Sequence, residues 1–374
     1  MYIRNLALHN FRNYEHASLE LSQGLNLFVG DNAQGKTNLL EAIYVLSLSK
    51  SYRTVRETEL IRHGATRASV RAQVAKMATL DLAVVVSEAE KKRLLVNEKS
   101  TTANSFVGCL NTVLFIPDSL QLVKGSPGDR RRFLDVQICQ IDPVYRSNLL
   151  KYQRVLRQRN SLLKEAWDHR AQVNQLPPWD DQLATLGAKI IRRRQEVVQT
   201  LQHYSRAAHE TISDEREELS LIYHPFFVQD ENDLREEPYG EGELGSILAK
   251  TIKELRQEEI RRGYTLVGPQ RDDLVFRLNQ ADLKKYGSQG QQRTAVLAYI
   301  LAELELMYQE TGDYPVVLLD DVTSELDWKR QMLLLSILNE KAQTIVTTTN
   351  LGGFSTEMKE RARIFRIEQG QILP

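Results

Sequence analysis

Over the first hundred residues apolar and polar side chains alternate in short runs, as in Ser18-Leu19-Glu20-Leu21, Leu80 to Val86 and Leu94 to Val96, with Asn, Gly and Lys clusters between them. A period of two puts alternate side chains on opposite faces of a sheet, so this region predicts a strand-rich lobe. Inside it, Leu25-Asn26-Leu27-Phe28-Val29 runs into a glycine loop, and Leu39, Leu40, Ile43, Leu46 and Leu48 follow at largely helical spacing. The predicted order is strand, loop, helix. In the middle of the chain Leu149, Tyr152, Leu156 and Leu163 recur at heptad-like intervals. After the break at Pro177-Pro178 a second set follows: Leu183, Leu186, Ile190, Val197, Leu201 and Tyr204. Two antiparallel helices in a compact arm are predicted, since neither pattern is long enough for a rod. The last hundred residues predict a helix from about Gln291 to Tyr308, a strand Val316 to Leu319, a helix around Trp328 to Leu338 and a strand Thr344 to Thr347. The two ends read as halves of one α/β domain, with the helical middle inserted and no internal repeat.

Composition narrows the class. The 374 residues (42.9 kDa) suggest two or three domains, and 42% hydrophobic with 26% charged residues at a mean hydropathy of −0.39 excludes disorder as the main state. Apolar runs such as Ala295 to Ala302 fall far below the roughly 20 residues of a membrane span. The start, Tyr2-Ile3-Arg4-Asn5, has no signal-peptide core, so a cytoplasmic location without membrane contact is expected. Cys109 and Cys139 show neither CxxC nor Cys/His clustering, which argues against a disulfide framework or zinc site. Lys+Arg and Asp+Glu balance at 49 each, so polyanion binding would have to come from uneven placement. Placement is uneven: residues 130–194 carry 14 Lys/Arg against 6 Asp/Glu, and residues 195–262 carry 8 against 16. A basic surface and ordinary solvated helix faces both fit those counts.

Gly30-Asp31-Asn32-Ala33-Gln34-Gly35-Lys36-Thr37 fits G-x-x-x-x-G-K-[ST] between a predicted strand and helix. Its glycines let backbone N–H groups close on phosphate oxygens at a helix N-terminus. Lys36 would neutralise the β and γ phosphates of ATP, and the Thr37 hydroxyl would give Mg²⁺ one ligand. The plainer alternative is a glycine turn capping a helix. Val316-Val317-Leu318-Leu319 then delivers Asp320 and Asp321 to the carboxyl end of a buried strand, where open parallel sheets keep their ligand crevices. Asp320 would hold Mg²⁺, and Asp321 would orient a water for γ-phosphate hydrolysis; two helix-capping acids are the alternative. Ser288-Gln289-Gly290-Gln291 opens the long helix as a second anion-seeking loop.

In this order the loop 30–37, Ser288 to Gln291, Asp320-Asp321 and Ser324-Glu325-Leu326-Asp327 resemble the nucleotide-binding heads of the ABC ATPases. Asn10-Phe11-Arg12-Asn13-Tyr14, Pro117 to Asp135 and Gly268-Pro269-Gln270-Arg271-Asp272-Asp273 extend that resemblance over essentially the full length to the RecF family, within the SMC-like branch. The resemblance implies an ABC-type P-loop ATPase head of 1–116 plus 263–374 with an inserted helical arm domain of 117–262. It implies ATP and Mg²⁺ as cofactors, ATP-dependent homodimerisation and slow hydrolysis. It further implies binding to single- and double-stranded DNA at gaps, and cooperation with RecO and RecR in loading RecA. By resemblance Arg12, Asn13, Asn32 and Asn38 join the nucleotide contacts, while Ser288, Gly290, Gln291 and Asp327 face a partner's nucleotide across a dimer seam.

Several positions depart from the ABC pattern. Asp321 stands where ABC ATPases at large use Glu, consistent with slow turnover; Thr348 and Thr349 occupy the region of the usual His, and Gln270 replaces a His. Gln121 is the candidate Gln-loop residue and Thr349 a candidate sensor. Candidate DNA contacts are Arg130, Arg131, Arg132, Arg192, Arg193 and Arg194, with Arg154, Arg157 and Arg159 on the basic helices; bracing through carboxylates is the alternative for Arg130 to Arg132. A transporter-type ABC motor subunit is the competing class, and it would lack the Pro117 to Asp135 stretch. A purely structural SMC-type organiser would need a longer coiled coil.

Overall fold

A computed structural model describes residues 1–168, 170–213, 217–230, 233–235, 237–321 and 326–373. The chain divides into two compact units, residues 1–120, 211–214 and 296–374, and residues 121–210 and 215–295. Residues 263–295, expected with the head, therefore fall in the second unit. The physical reason is strand pairing: Asp273–Leu278 pairs antiparallel with Leu219–His224, so it stays with the middle of the chain.

The first unit holds two six-stranded sheets. In one, Tyr14–Glu20, Tyr2–Phe11, Arg67–Ala75, Thr79–Ser87, Arg93–Val96 and Lys99–Thr101 lie side by side, every pair antiparallel, which accounts for the period-two pattern. The other runs in the order Gln371–Leu373, Arg363–Glu368, Leu25–Val29, Thr344–Thr348, Val316–Leu319, Thr112–Phe115, and its pairings are parallel apart from the first. Val316–Leu319 and Thr344–Thr348 are buried throughout, as strands covered on both faces must be. Helix Lys36–Leu48 packs between the sheets and sends Leu39, Leu40, Ile43 and Leu46 into a shared core with Leu6, Val70, Leu318 and Ile345. Burying each such side chain contributes about 1.5–3 kcal/mol, which fixes the helix against the sheets.

The second unit is helical, with one three-stranded sheet. Helices Pro143–Asp168 and Pro177–Ser213 are antiparallel, with three successive contacts along their seam. Tyr145 meets Arg194, Tyr152 meets Gly187 and Arg159 meets Asp180. These positions are seven apart on each helix, the repeat of a coiled-coil seam. The expected positions Leu149, Tyr152, Leu156 and Leu163 divide: Tyr152 and Leu163 are buried, Leu149 and Leu156 half-buried, and two of the three contacts involve charged side chains. Arg159 is fully buried, donating to Asp180 at 2.7 Å, Glu259 at 2.5 Å and the Thr265 hydroxyl at 2.8 Å. It ties helix Glu241–Arg262 to the pair. A lone buried guanidinium is prohibitively costly, so its three acceptors specify how these helices meet. No helix among the described residues is long and apolar enough to cross a membrane.

Candidate nucleotide-binding site

The parallel sheet fixes the site by register. Thr348 pairs with Val29, and Leu319 with Val346, so Gly30, Asp320 and Thr347 emerge at one edge of neighbouring strands. Chain reversal at the loop requires Ala33 at φ 64° and Gly35 at φ 118°, the latter in the helix N-cap. A Cβ at Gly30 would sit 2.2 Å from the Ile367 carbonyl oxygen, and one at Gly35 2.7 Å from Asn13 Nδ2. The backbone approaches that closely only because both are glycine. No acid occupies the first turn of helix Lys36–Leu48, which leaves the positive end of its dipole unopposed there.

Lys36 is buried, and its ammonium donates to the loop carbonyls of Gly30 at 2.5 Å and Asp31 at 2.7 Å. Burial pushes its pKa down, while Asp321, Asp320 and Asp31 oppose that shift. The Thr37 hydroxyl donates to Asp320 Oδ1 at 3.0 Å, the oxygen that also accepts Thr347 Oγ1 at 2.6 Å. Asp321 has φ 50°, a left-handed conformation strained for a residue with a Cβ, and its N–H donates to Thr347 Oγ1 at 2.9 Å. Asp31, Asn32 and Ala33 are exposed at the loop tip.

A second layer braces the loop. Asn13 Nδ2 donates to the Gln34 carbonyl at 3.0 Å, Asn38 Nδ2 to Asn13 Oδ1 at 2.7 Å, and Tyr14 OH to the Gly35 carbonyl at 3.1 Å. Gln34 Oε1 accepts the Gln369 N–H at 2.7 Å, and the Gln34 carbonyl accepts the Gly370 N–H at 2.9 Å. Arg12 is committed elsewhere: it forks onto the fully buried Glu41 carboxylate at 2.8 and 2.6 Å and donates to the Glu59 carbonyl at 2.8 Å. Arg53 reaches the same Glu41 at 3.1 Å and Asn38 Oδ1 at 2.7 Å. Burial, then Asp320 and Glu41, push the Tyr52 phenol upward, and its hydroxyl has no hydrogen-bond partner among the described residues.

A family model described as the RecF/RecN/SMC N terminal domain matches residues 2–372. The DNA replication and repair protein RecF of Bacillus subtilis (strain 168) is 43% identical over 377 residues, covering 100% of both chains. The chain belongs to the RecF family. Two solved RecF structures are each 33% identical to it. They are described as the recombination mediator protein RecF-ATPrS and RecF-ATP in the RecFOR pathway. The first has a TM-score of 0.90 and covers 99% of this chain and 97% of that one; the second has 0.88, covering 100% and 97%. The α/β ABC-type head expected from the RecF resemblance is the fold observed.

The other expected site residues of this RecF-family chain are distributed differently. Ser288, Gly290 and Gln291 belong to the second unit, with Gln121, which is exposed. Ser288 Oγ accepts the Gln291 N–H at 3.2 Å and Gln291 Oε1 accepts the Ser288 N–H at 2.8 Å, a reciprocal cap that presents Ser288 at the helix start. Asp327 caps helix Trp328–Lys341, accepting the Arg330 N–H at 3.0 Å and Arg330 Nη1 at 2.6 Å. That backbone hydrogen bond, followed by the Arg330 side chain, holds its carboxyl below the ordinary range. Ser324 and Glu325 lie outside the described residues.

Several arginines expected as DNA contacts are spoken for. Arg130 forks onto Asp273 at 2.8 and 2.7 Å, Arg193 donates to Asp142 at 2.9 Å, and Arg194 forks onto Asp135 at 3.0 Å with 2% of its surface exposed. Arg131 donates to the Asp272 carbonyl at 2.5 Å, and Arg192 to Glu196 and two carbonyls. Arg132 is exposed. Bracing, with Asp273 as partner in place of Asp118 or Asp135, describes Arg130. Sequence reasoning also missed Thr347, because a threonine inside an apolar strand carries no motif; its place beside Asp320 is set by strand register alone. The expected sensor, Thr349, meets only Asn350 Nδ2 among the described residues, at 3.4 Å.

Proposed function

We propose that this chain is a DNA-binding ATPase of recombinational repair and replication, in which ATP joins two heads and hydrolysis releases them. One observation carries the reading: two hydroxyls, Thr37 and Thr347, converge on a single oxygen of Asp320 beneath a glycine loop that encloses Lys36. Lys36 Nζ rests on the Gly30 and Asp31 carbonyls, which a phosphate oxygen can replace as acceptors.

Among the described residues no cluster of three His, Cys, Asp or Glu stands ready for a metal. One hydroxyl and one carboxylate fit Mg²⁺, which keeps several waters and takes its remaining ligands from phosphate oxygens. Thr37 and Asp320 would hold that ion, which when bound neutralises charge on the β and γ phosphates. Asp31, Asn32, Ala33, Gln34, Gly35 and Thr37 would cradle the phosphates with backbone N–H groups, while Gly30, whose own N–H donates to the Thr348 carbonyl, starts the turn, and Asn13 and Asn38 hold the loop in shape. Asp321 would orient the attacking water. Its carboxylate is one methylene shorter than glutamate, which supports slow turnover.

Ser288, Gly290, Gln291 and Asp327 would complete a partner's site in an ATP-dependent homodimer. The RecF structures named for ATP and for the RecFOR pathway support ATP as ligand and RecO and RecR as partners; gapped DNA as the setting and RecA loading as the outcome complete the proposal. Sedimentation with and without Mg-ATP tests the central step: the chain should dimerise with ATP and bind gapped DNA more tightly, and Lys36→Ala should do neither. An ATP-saturated chain that stays monomeric would overturn the reading.

A further inference from the structure

The helix pair Pro143–Asp168 and Pro177–Ser213 borders a groove of about 780 Å³. Its lining includes Lys151, Arg154 and Arg157 from the first helix and Trp179 from the second, with the buried Val155 below. The three cations are exposed and, among the described residues, make no ion pair. Other arginines of the same helices behave oppositely: Arg159 and Arg194 turn inward onto carboxylates. The one carboxylate in the lining is Asp181, so the groove keeps a net positive charge.

At 1.5 Å of rise per residue, positions 151, 154 and 157 spread three charges along about 9 Å of one helix face. Successive phosphates of one strand are about 3.4 Å apart along a duplex axis and further apart when stretched, so that line matches two or three of them. Trp179 is half-buried and lines the same groove, adding an aromatic surface to a basic track. Basic tracks with aromatic platforms suit unpaired strands, because every base has a face to stack, whereas a duplex hides those faces in its own stack. We propose that this groove seats a single-stranded nucleic-acid segment, with phosphates on Lys151, Arg154 and Arg157 and a base against Trp179. The inference rests on the DNA-binding reading above and adds to it the strand that is held and where.

Fluorescence anisotropy of the full chain with a labelled oligo(dT) of about 20 nucleotides and with a blunt duplex of equal length, over a series of salt concentrations, tests the seat. The triple variant K151A/R154A/R157A should lower the log-log salt slope for oligo(dT) by about 2, at roughly 0.7 per phosphate, and leave the duplex slope nearly unchanged. Trp179→Ala should weaken oligo(dT) binding about tenfold, and Trp179→Phe should keep most of it. Should Trp179→Ala fail to fold, the triple variant of exposed residues decides alone. Unchanged oligo(dT) slopes in the triple variant, or equal losses on duplex, would overturn the proposal. Wild-type chain that binds neither DNA defeats the broader DNA reading, whereas binding that the triple variant retains defeats only the groove.

Discussion

Thr347 donates to Asp320 Oδ1 at 2.6 Å while its own oxygen accepts the Asp321 N–H at 2.9 Å. One hydroxyl from the neighbouring strand therefore sets both the carboxylate proposed to hold the metal and the strained backbone of the residue after it. Thr347→Val keeps the shape and removes the hydroxyl. ATP turnover should fall about 10–100-fold, as when a partner orienting a metal ligand is lost, with a weaker apparent affinity for Mg²⁺. A magnesium titration of turnover checks this, and unchanged turnover and magnesium dependence would remove Thr347 from the site.

Gly30 and Ile367 make the tightest approach in the loop, since a Cβ on the former would lie 2.2 Å from the carbonyl oxygen of the latter. That oxygen belongs to a strand backbone and cannot rotate away as a flexible side chain could. Gly30→Ala should destabilise the first unit by about 1–3 kcal/mol and weaken ATP binding as the loop shifts. Chemical denaturation and a nucleotide-binding titration would read the two effects, and a variant normal in both would contradict the close packing.

Elements with strong local signals were legible in the sequence: Val316–Leu319 has the span its apolar run predicts, and the strand, loop and helix around Lys36 follow in the expected order. Long-range pairing was not. Which strand lies beside Asp320, and so which threonine reaches it, depends on register between segments far apart in sequence. Charge misled for a related reason. A run such as Arg130 to Arg132 looks alike whether it faces water or a carboxylate 143 positions away, as Arg130 does. Arg159 looked like a basic surface residue because the two carboxylates that neutralise it and the hydroxyl that completes its hydrogen bonds are scattered over the next hundred or so positions.

The adjacent Arg130 and Arg132 separate bracing from DNA contact. Arg130 is buried and paired with the half-buried Asp273, so Arg130→Ala removes a two-pronged charged contact and should destabilise the second unit by about 1–3 kcal/mol. Arg132 is exposed, and Arg132→Ala should leave stability within about 0.5 kcal/mol. If Arg132 meets a DNA phosphate, the log-log salt slope on duplex should fall by about 0.9 in that variant. Thermal melts with duplex titrations at several salt concentrations measure both quantities. A destabilised Arg132→Ala or a fully stable Arg130→Ala would reverse these assignments.

Asp272 gives stability a pH dependence whose sign is fixed by burial. Its carboxyl is fully buried, and desolvation pushes its pKa up to about 6, although Arg194, the Tyr223 hydroxyl, the Phe226 N–H and Arg131 pull it down. Phe226 N–H donates to Oδ1 at 2.8 Å, and Arg194 Nη1 stands 3.8 Å from Oδ2. In the unfolded chain an aspartate titrates near 3.9. Between about pH 4 and 6 the folded state thus keeps a proton that the unfolded state has released. Stability from this group is complete below about pH 4 and declines as pH rises through 6, by about 3 kcal/mol in all. Asp272→Asn cannot ionise and lacks that component. Urea denaturation at pH 4.5, 5.5 and 7 should show the variant gaining on the wild type as pH rises, whereas a constant difference across the range would mean that the carboxyl is ionised throughout.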